Sequence, residues 1–179
     1  LCDVQNRFRP LIHKMETVIQ TCRYMVNVAD ALDVPIVASQ QYTKVFGETV
    51  PEVFADVSDE MKSKAPIFEK KEFSMMTDEL KQHLATLPSK RDTYIVTGIE
   101  THVCVQQTCL DLLEDPATDS VHVVVDGCSS QQTIDRSVAL TRLQQAGAYL
   151  TTAQSAAFML MQTANHPNFK AVSKLTVDN

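Results

Sequence analysis

Three side chains of this sequence could act together in nucleophilic catalysis: the carboxylate of Asp3, the ammonium of Lys70 and the thiol of Cys104. The reactive form of cysteine is the thiolate, so a carboxylate could take the thiol proton while the ammonium stabilises the sulfur anion. Cys104 is expected at the start of a helix, where free backbone N–H groups and the helix dipole also favour negative charge. These residue types predict a cysteine-nucleophile site that needs no histidine.

The elements that must position these residues follow from an alternation of strand-length apolar runs with helical patterns. Such alternation favours a mostly parallel sheet with helices on both faces, whose ligand site lies at the carboxyl ends of the strands. Asp3, Lys70 and Cys104 all follow predicted strands. The first strand is predicted to end at residue 3, and five further strands to cover residues 34–38, 66–70, 93–97, 121–125 and 148–152. Helices are predicted to cover residues 11–33, 74–87, 101–114 and 131–146.

Each of the three candidates also has a structural interpretation. A single cysteine in an α/β protein is more often a small buried apolar residue than a nucleophile. Asp3 could cap a helix or pair with Arg7 or Arg9, and Lys70 could be one more solvated lysine. Residue type and position alone leave these alternatives open.

Two further residues compete for the same roles. Cys128 is a second thiol just past a strand, but Asp126 and Gly127 before it and Ser129-Ser130 after it are typical of a turn and helix cap. We therefore interpret Cys128 and Asp126 as structural. His102 could be the base for Cys104, but its ring need not point at the sulfur in a tight turn.

Composition limits the class of protein and its partners. The chain has 179 residues, of which 44% are hydrophobic and 21% charged, so we expect a single globular domain over residues 1–179. No apolar run is long enough to span a membrane. The formal net charge of -6 makes a nucleic acid a poor candidate partner, because an acidic chain repels phosphates.

Cysteine usage bears on the compartment. The five cysteines are widely spaced and form no C-x-x-C pair, which argues against a disulfide framework and against a zinc knuckle. A reducing intracellular compartment, cytoplasmic or mitochondrial, is the simplest expectation. Residues 1–4 look like the end of a strand already under way, so the N-terminus is expected to be truncated and no targeting segment can be read.

Four segments resemble motifs of the isochorismatase-like hydrolases, and the resemblance runs through nearly the whole chain with the three catalytic motifs in order. The fourth segment resembles a loop of the isochorismatase domain-containing branch in particular. The segments are Gly98-Ile-Glu-Thr-His-Val-Cys104-Val105, which resembles the nucleophile motif; Asp3-Val-Gln5 with Phe8, which resembles D-x-Q; Lys70-Lys-Glu-Phe73-Ser74, which resembles K-x-x-F-S; and Gln41-Tyr42 with Gly47 and Thr49-Val-Pro-Glu52, which resembles the loop of the branch.

The resemblance implies a fold and a mechanism. The fold would be a three-layer α/β/α, Rossmann-like arrangement with a six-stranded parallel sheet in the order 3-2-1-4-5-6. A cis peptide bond between Ile99 and Glu100 would direct the N–H of Glu100, with that of Cys104, into an oxyanion hole. Asp3 would be the general base, Lys70 would stabilise the thiolate, and an acyl-enzyme would form and be hydrolysed. The implied substrate-pocket residues are Gln5, Phe8, Gln41, Tyr42 and Phe73.

The sequence departs from the nicotinamidases of the same superfamily. These carry an Asp-x-His pair and a further histidine that bind a metal, whereas Ser39-Gln-Gln-Tyr42 stands at the matching place. We therefore expect no metal and no cofactor. Glu100 replaces a small residue of the nicotinamidases, and a carboxylate lining the pocket would disfavour anionic substrates.

Four functions are weighed. The first is a hydrolase that cleaves a small-molecule amide, ester or related C–N bond, and such relatives are often homo-oligomers. The second is a non-catalytic or regulatory binding protein on the same fold, which the intact trio of Asp3, Lys70 and Cys104 argues against. The third is a nucleic-acid-processing hydrolase, which the acidic balance disfavours. The fourth is a dinucleotide-binding protein, but the chain lacks G-x-G-x-x-G and has only 4 glycines.

Overall fold

The computed structural model describes residues 1–87 and 92–177. The predicted domain of residues 1–179 therefore includes two segments, 88–91 and 178–179, that lie outside the described residues. The helices are α1 (Met15–Leu32), α2 (Thr43–Phe46), α3 (Asp59–Lys64), α4 (Asp78–Thr86), α5 (Gln106–Glu114), α6 (Thr133–Gln145), α7 (Ala153–Met161) and α8 (Phe169–Val177). Short 3-10 helices cover Asn6–Phe8 and Pro51–Phe54, and a π-helical segment covers Thr101–Val105.

The strands pair in parallel, as the alternation of elements predicted. They are β1 (Ala38–Gln41), β2 (Ile67–Lys70), β3 (Thr93–Ile99), β4 (Ser120–Ser129) and β5 (Tyr149–Thr151). Strand β1 pairs with β2, and β3, β4 and β5 form a separate sheet in that order. The α/β class with parallel strands is confirmed, but the six-stranded sheet is wrong, since the described residues form five strands in two sheets.

The missing sixth strand is explained by the segment Leu1–Cys2, which lies between the two sheets. On one side the Ser39 N–H donates to the Leu1 carbonyl at 2.9 Å. On the other side the Cys2 N–H donates to the Thr97 carbonyl at 2.8 Å, and the Ile99 N–H donates to the Cys2 carbonyl at 2.9 Å. The pairing stops at once because Asp3 adopts a left-handed conformation, with φ 48°. The segment therefore occupies the position expected for the first strand, but only one of its residues forms a β-bridge.

Gly98 is required where this segment passes β3. Its φ is +128°, and a Cβ atom there would lie 2.0 Å from the carbonyl oxygen of Cys2. No side chain fits in that space, and glycine alone tolerates such a φ without strain. Gly98 thus permits the close approach that brings Asp3 next to the end of β3.

The strands bury apolar side chains on both faces, since successive residues of a strand point to opposite sides. Val121 and Val123 of β4 belong to a cluster that includes Leu112 of α5 and Leu143 of α6. Val124 belongs to a second cluster, with residues of α1, α7 and α8. Helices therefore cover both faces and hold the strand ends, where the candidate residues lie, in fixed positions.

Two element boundaries differ from the sequence prediction for local reasons. The helix predicted over residues 74–87 begins at Asp78, because the side chain of Thr77, and not that of Ser74, accepts a hydrogen bond from the N–H of Leu80. The helix predicted over residues 101–114 begins with the π-helical segment that contains Cys104. Among the described residues, no helix is both long and apolar enough to cross a membrane.

Candidate active site

Asp3 and Lys70 form a buried ion pair at the carboxyl ends of the strands. Their side chains are 2% and 1% exposed, and Lys70 Nζ lies 2.7 Å from Asp3 Oδ2. The other carboxylate oxygen, Oδ1, accepts a hydrogen bond of 2.7 Å from the hydroxyl of Ser39 on β1. Neither Asp3 nor Lys70 is the solvated or capping residue that the alternative interpretation allowed.

Four oxygen atoms surround the ammonium of Lys70. Besides Asp3, they are Gln41 Oε1 at 2.6 Å and the carbonyl oxygens of Glu72 at 3.1 Å and Phe73 at 2.9 Å. Burial opposes the charge, but the negative charges that Cys2, Asp3 and Cys104 can carry outweigh it, so the pKa of Lys70 is raised. Lys70 therefore remains a cation at neutral pH.

Cys104 lies beside this ion pair. Its thiol, the thiol of Cys2 and a carboxylate oxygen of Asp3 all lie within 4.8 Å of one another. Cys104 is 7% exposed and sits in the π-helical segment that follows β3. The structure thus brings the three candidate catalytic residues together from β2, from the segment between the sheets and from the turn after β3.

Cys2 is a residue of this site that sequence reasoning missed. It is completely buried, and its thiol donates to Asp3 Oδ2 across 3.7 Å. Burial, followed by its hydrogen bond with Cys104 and the charge of Asp3, raises the pKa of Cys2 well above its usual range. Regular alternation along a strand would put residues 2 and 3 on opposite faces, so the sequence carried no signal for this contact. The left-handed conformation of Asp3 brings both side chains to the site.

The predicted pocket residue Gln5 anchors a loop. Its side-chain N–H groups donate to the carbonyls of Gln41 at 3.0 Å and Gly47 at 2.6 Å, and its oxygen accepts from the N–H of Gln41 at 2.7 Å. Gln5 is also completely buried. Its carboxamide therefore fixes the loop that begins at Gln41, and its contact with a substrate stays a prediction.

The other predicted pocket residues differ in exposure. Gln41 bridges the two lysines, since its oxygen accepts from Lys70 while its Nε2 donates to the carbonyl of Lys71 at 2.9 Å. Tyr42 and Phe73 are 40% and 53% exposed. Phe8 stacks on the ring of Phe46, with centroids 4.7 Å apart. The contact of these aromatic side chains with a substrate stays a prediction, whereas Gln41 is observed to hold the ammonium of Lys70.

Glu100 joins the π-helical segment to the loop that follows β4. The peptide bond between Ile99 and Glu100 is cis. An oxyanion hole requires an N–H group that has no acceptor in the protein. Within the described part of the chain, no oxygen accepts a hydrogen bond from the N–H of Glu100. The carboxylate of Glu100 accepts from the N–H of Gln131 at 3.0 Å and from its side chain at 3.2 Å.

The alternative base and the rival thiol have other partners. His102 Nδ1 lies 3.0 Å from the hydroxyl of Ser130, and its Nε2 lies 3.9 Å from Asp135. Asp126 accepts a hydrogen bond of 2.9 Å from the N–H of Ala153, the first residue of α7. Cys128 lies in the apolar core. These contacts support the structural interpretation of all three residues.

The cluster also bears on metal binding. Cys2, Asp3 and Cys104 offer three ligand atoms close enough to hold one cation. Lys70 already places a positive charge on the Asp3 carboxylate, and a second cation would be repelled by it. The expectation of a metal-free site came from the missing histidines at Ser39-Gln-Gln-Tyr42, and this charge supports it. It stays a prediction, which elemental analysis of the purified protein would test.

Comparison with known proteins identifies the family. The Isochorismatase domain matches residues 1–155. The chain belongs to the isochorismatase family. The resemblance drawn from the four motifs is thereby confirmed. Its branch is confirmed as well, because relatives named isochorismatase domain-containing proteins match over nearly the whole of this chain. Membership of this family supports a hydrolase.

The relatives cover almost the whole chain. A secreted isochorismatase effector, Isc1, of Phytophthora sojae is 46% identical over 175 residues, which are 98% of this chain and 81% of that protein. Isochorismatase domain-containing protein 2 of Xenopus laevis is 39% identical, over 99% of this chain and 82% of that protein. Among solved structures, the MAR1 ribonuclease of Caenorhabditis elegans superposes with a TM-score of 0.89 and 38% identity, over 98% of this chain and 86% of that one.

Proposed function

We propose that this member of the isochorismatase family is a cysteine hydrolase that cleaves a small-molecule amide, ester or related C–N bond through an acyl-enzyme. The observation that carries the proposal is the position of a carboxylate oxygen of Asp3 within 4.8 Å of the Cys104 thiol, with Lys70 on the same carboxylate. A thiol, a base and a cation at such distances are the components of an activated nucleophile.

The first half of the reaction makes the acyl-enzyme. Asp3 takes the proton of the Cys104 thiol, and Lys70 stabilises the negative charge as the sulfur attacks the carbonyl carbon. The N–H groups of Glu100 and Cys104 stabilise the oxyanion. The tetrahedral intermediate collapses, the bond to the leaving group breaks, and Asp3 returns the proton to the leaving amine or alcohol.

The second half restores the thiol. Asp3 takes a proton from a water molecule, whose oxygen attacks the thioester carbon. The bond from carbon to sulfur breaks, the carboxylic acid leaves, and Cys104 recovers its proton from Asp3. Because the carboxylate of Glu100 lies directly before the π-helical segment that carries Cys104, neutral or cationic substrates are favoured over anionic ones.

The test is a panel of small neutral amides and esters assayed with the full chain. The expected result is turnover of at least one compound by the wild type, with a mass increase on Cys104 when the reaction is quenched in acid. Cys104→Ala should give neither turnover nor adduct, and Cys22→Ser should retain both. An adduct on a different cysteine, or turnover that survives in Cys104→Ala, would contradict the proposal.

A second candidate function is favoured by one observation, the likeness to a structure described as a ribonuclease. The net charge of -6 argues against it, and Lys70, the buried cation of the site, is already surrounded by four oxygens. Incubation of labelled RNA with the wild type and with Cys104→Ala at two salt concentrations separates the two functions. Cleavage that the Cys104→Ala protein has lost would favour a ribonuclease.

A further inference from the structure

The hydrolase mechanism makes no use of the second thiol in the site, that of Cys2. Its sulfur lies within 4.8 Å of the sulfur of Cys104. The Cys2 thiol also donates a hydrogen bond to the carboxylate of Asp3, which is the proposed base for Cys104. Cys2 has no exposed surface, whereas Cys104 is 7% exposed. A reagent from solvent therefore meets Cys104 first, and Cys2 can react only with what Cys104 has become.

We infer that Cys2 is a resolving cysteine, which forms a reversible disulfide with Cys104 after a hydroperoxide has oxidised Cys104. The inference rests on the proposed function, because Cys104 must be the reactive thiol. The disulfide would switch the hydrolase off and protect its nucleophile from irreversible oxidation to the sulfinic acid.

The chemistry balances in two steps. The Cys104 thiolate attacks a peroxide oxygen, so that a sulfur–oxygen bond forms, the oxygen–oxygen bond breaks and hydroxide leaves. Two electrons pass from the sulfur to the peroxide, and Cys104 becomes a sulfenic acid. The hydroxide takes from Asp3 the proton that the Cys104 thiol gave up, so the first water forms and Asp3 is again a base. The sulfur of Cys2 then attacks the sulfur of Cys104, its proton passes by way of Asp3 to the leaving hydroxide, and water departs. In sum, two thiols and hydrogen peroxide give one disulfide and two water molecules.

The surroundings favour Cys2 over the other cysteines as the partner. Asp3 accepts the hydrogen bond of the Cys2 thiol, so a base for the second step is in place. The sulfur of Cys22 lies 3.3 Å from the hydroxyl of Thr97. Cys109 and Cys128 share the apolar core with Cys2 and Cys104, but they lie outside the group formed with Asp3. Of the described cysteines, Cys2 alone shares the cluster with Cys104 and Asp3.

The required movement is small. A disulfide places its two sulfurs about 2 Å apart, so two sulfurs that already lie within 4.8 Å of each other must approach by less than about 3 Å. The backbone of Cys2 is held on one side by its hydrogen bonds to Thr97 and Ile99.

The test begins with the untreated full chain, in which iodoacetamide at pH 7 should label Cys104. The chain is then treated with a few equivalents of hydrogen peroxide, blocked with iodoacetamide and digested without reductant. The expected result is a cross-linked pair of peptides, one with Cys2 and one with Cys104, and a loss of Cys104 labelling that dithiothreitol reverses. In Cys2→Ser, the same dose should instead add two oxygen atoms to Cys104, and dithiothreitol should restore much less labelling.

Cys22→Ser is the matched control, because it removes another buried thiol, outside the site, and it should behave as the wild type. The inference is overturned if Cys104 of the wild type proceeds to the sulfinic acid as fast as in Cys2→Ser, or if its disulfide joins another cysteine. A Cys104 that is labelled before peroxide but forms no disulfide leaves the proposed hydrolase intact. A Cys104 that iodoacetamide does not label overturns both. The peptide cross-link in the wild type is informative even if Cys2→Ser does not fold.

Discussion

The five cysteines are all buried, yet they lie in two regions with different surroundings. Cys2, Cys104, Cys109 and Cys128 all border one apolar core, but only Cys2 and Cys104 also lie beside the carboxylate of Asp3 and the ammonium of Lys70. Cys22, Cys109 and Cys128 lie outside that group. Burial raises the pKa of Cys109 to about 12 and that of Cys22 to about 11, and it also raises the pKa of Cys2 well above its usual range, so burial by itself does not distinguish the two regions.

What separates the two regions is therefore the set of charged neighbours. A thiol enclosed by apolar side chains keeps its proton, since the low dielectric disfavours the thiolate. A thiol that shares its enclosure with a paired carboxylate and ammonium has a base for its proton and a cation for the resulting charge. Four experiments test whether this difference decides function.

The largest effect is expected on turnover. Asp3→Asn, Lys70→Met and Cys104→Ala should each lower kcat/KM by roughly 10²–10⁴-fold, because each removes a component of one unit. The double variants should lose little more, since residues that act together are not additive. Lys71→Ala is the control and should stay near wild type, because Lys71 is exposed and the oxygens of Asp3 are bonded by Lys70 and Ser39 instead. Additive losses in the doubles would mean that the three residues act independently.

The second effect is on thiol alkylation at pH 7. Cys104 should react with iodoacetamide at least about 10²-fold faster than Cys109, whose thiolate fraction is about 10⁻⁵ at that pH if its pKa is about 12. Asp3→Asn should slow the labelling of Cys104 and leave that of Cys109 unchanged. Site-specific rates come from mass spectrometry of the digested protein. Faster labelling of Cys109 or Cys128 would reverse the assignment of the two regions.

The third effect is on stability. Lys70→Met leaves the buried carboxylate of Asp3 without its cation, which should lower the free energy of unfolding by about 3–5 kcal/mol. Adding Asp3→Asn to that variant should recover part of the loss, since the uncompensated charge is gone. Urea unfolding at pH 7 measures both. Lys64→Met, which removes an exposed ion pair with Glu60, should leave the midpoint nearly unchanged. Equal losses of unfolding free energy in the two lysine variants would show that the buried ion pair contributes no more to stability than the exposed one.

The smallest effect is on alkaline stability. Cys109 has a folded-state pKa raised from 9.0 to about 12, so between these values the unfolded chain has released the proton and the native chain has not. Unfolding is thus favoured as pH rises above about 9, by at most about 1.4 kcal/mol per pH unit from this group. Cys109→Ala should flatten the slope of unfolding free energy between pH 9 and 11 but not between pH 6 and 8. If the slope of unfolding free energy between pH 9 and 11 is unchanged in Cys109→Ala, the pKa of Cys109 is not raised by burial as the comparison assumes.

The experiments rely on residues that the sequence and the structure supplied in different ways. The residues Asp3, Lys70 and Cys104 could be named from sequence because each follows an apolar run and stands in a motif that resembles those of one family. The choice of Lys70 over Lys71 also came from the motif, and the structure buries Lys70 and leaves Lys71 exposed. The parallel pairing followed from the alternation of strands and helices, whereas the number of strands did not.

The amino-acid sequence by itself determined the family, the parallel α/β arrangement and the three residues that bring a carboxylate, a cation and a thiol to one end of the strands. Only the tertiary structure decided that Cys2, Ser39 and Gln41 surround them, and that Gln5 fastens a loop. The physical reason is that these contacts depend on a left-handed residue, Asp3, and on side chains from segments far apart in the chain. Periodicity reports which face a residue occupies along its own element, and it carries no information about a partner across the fold.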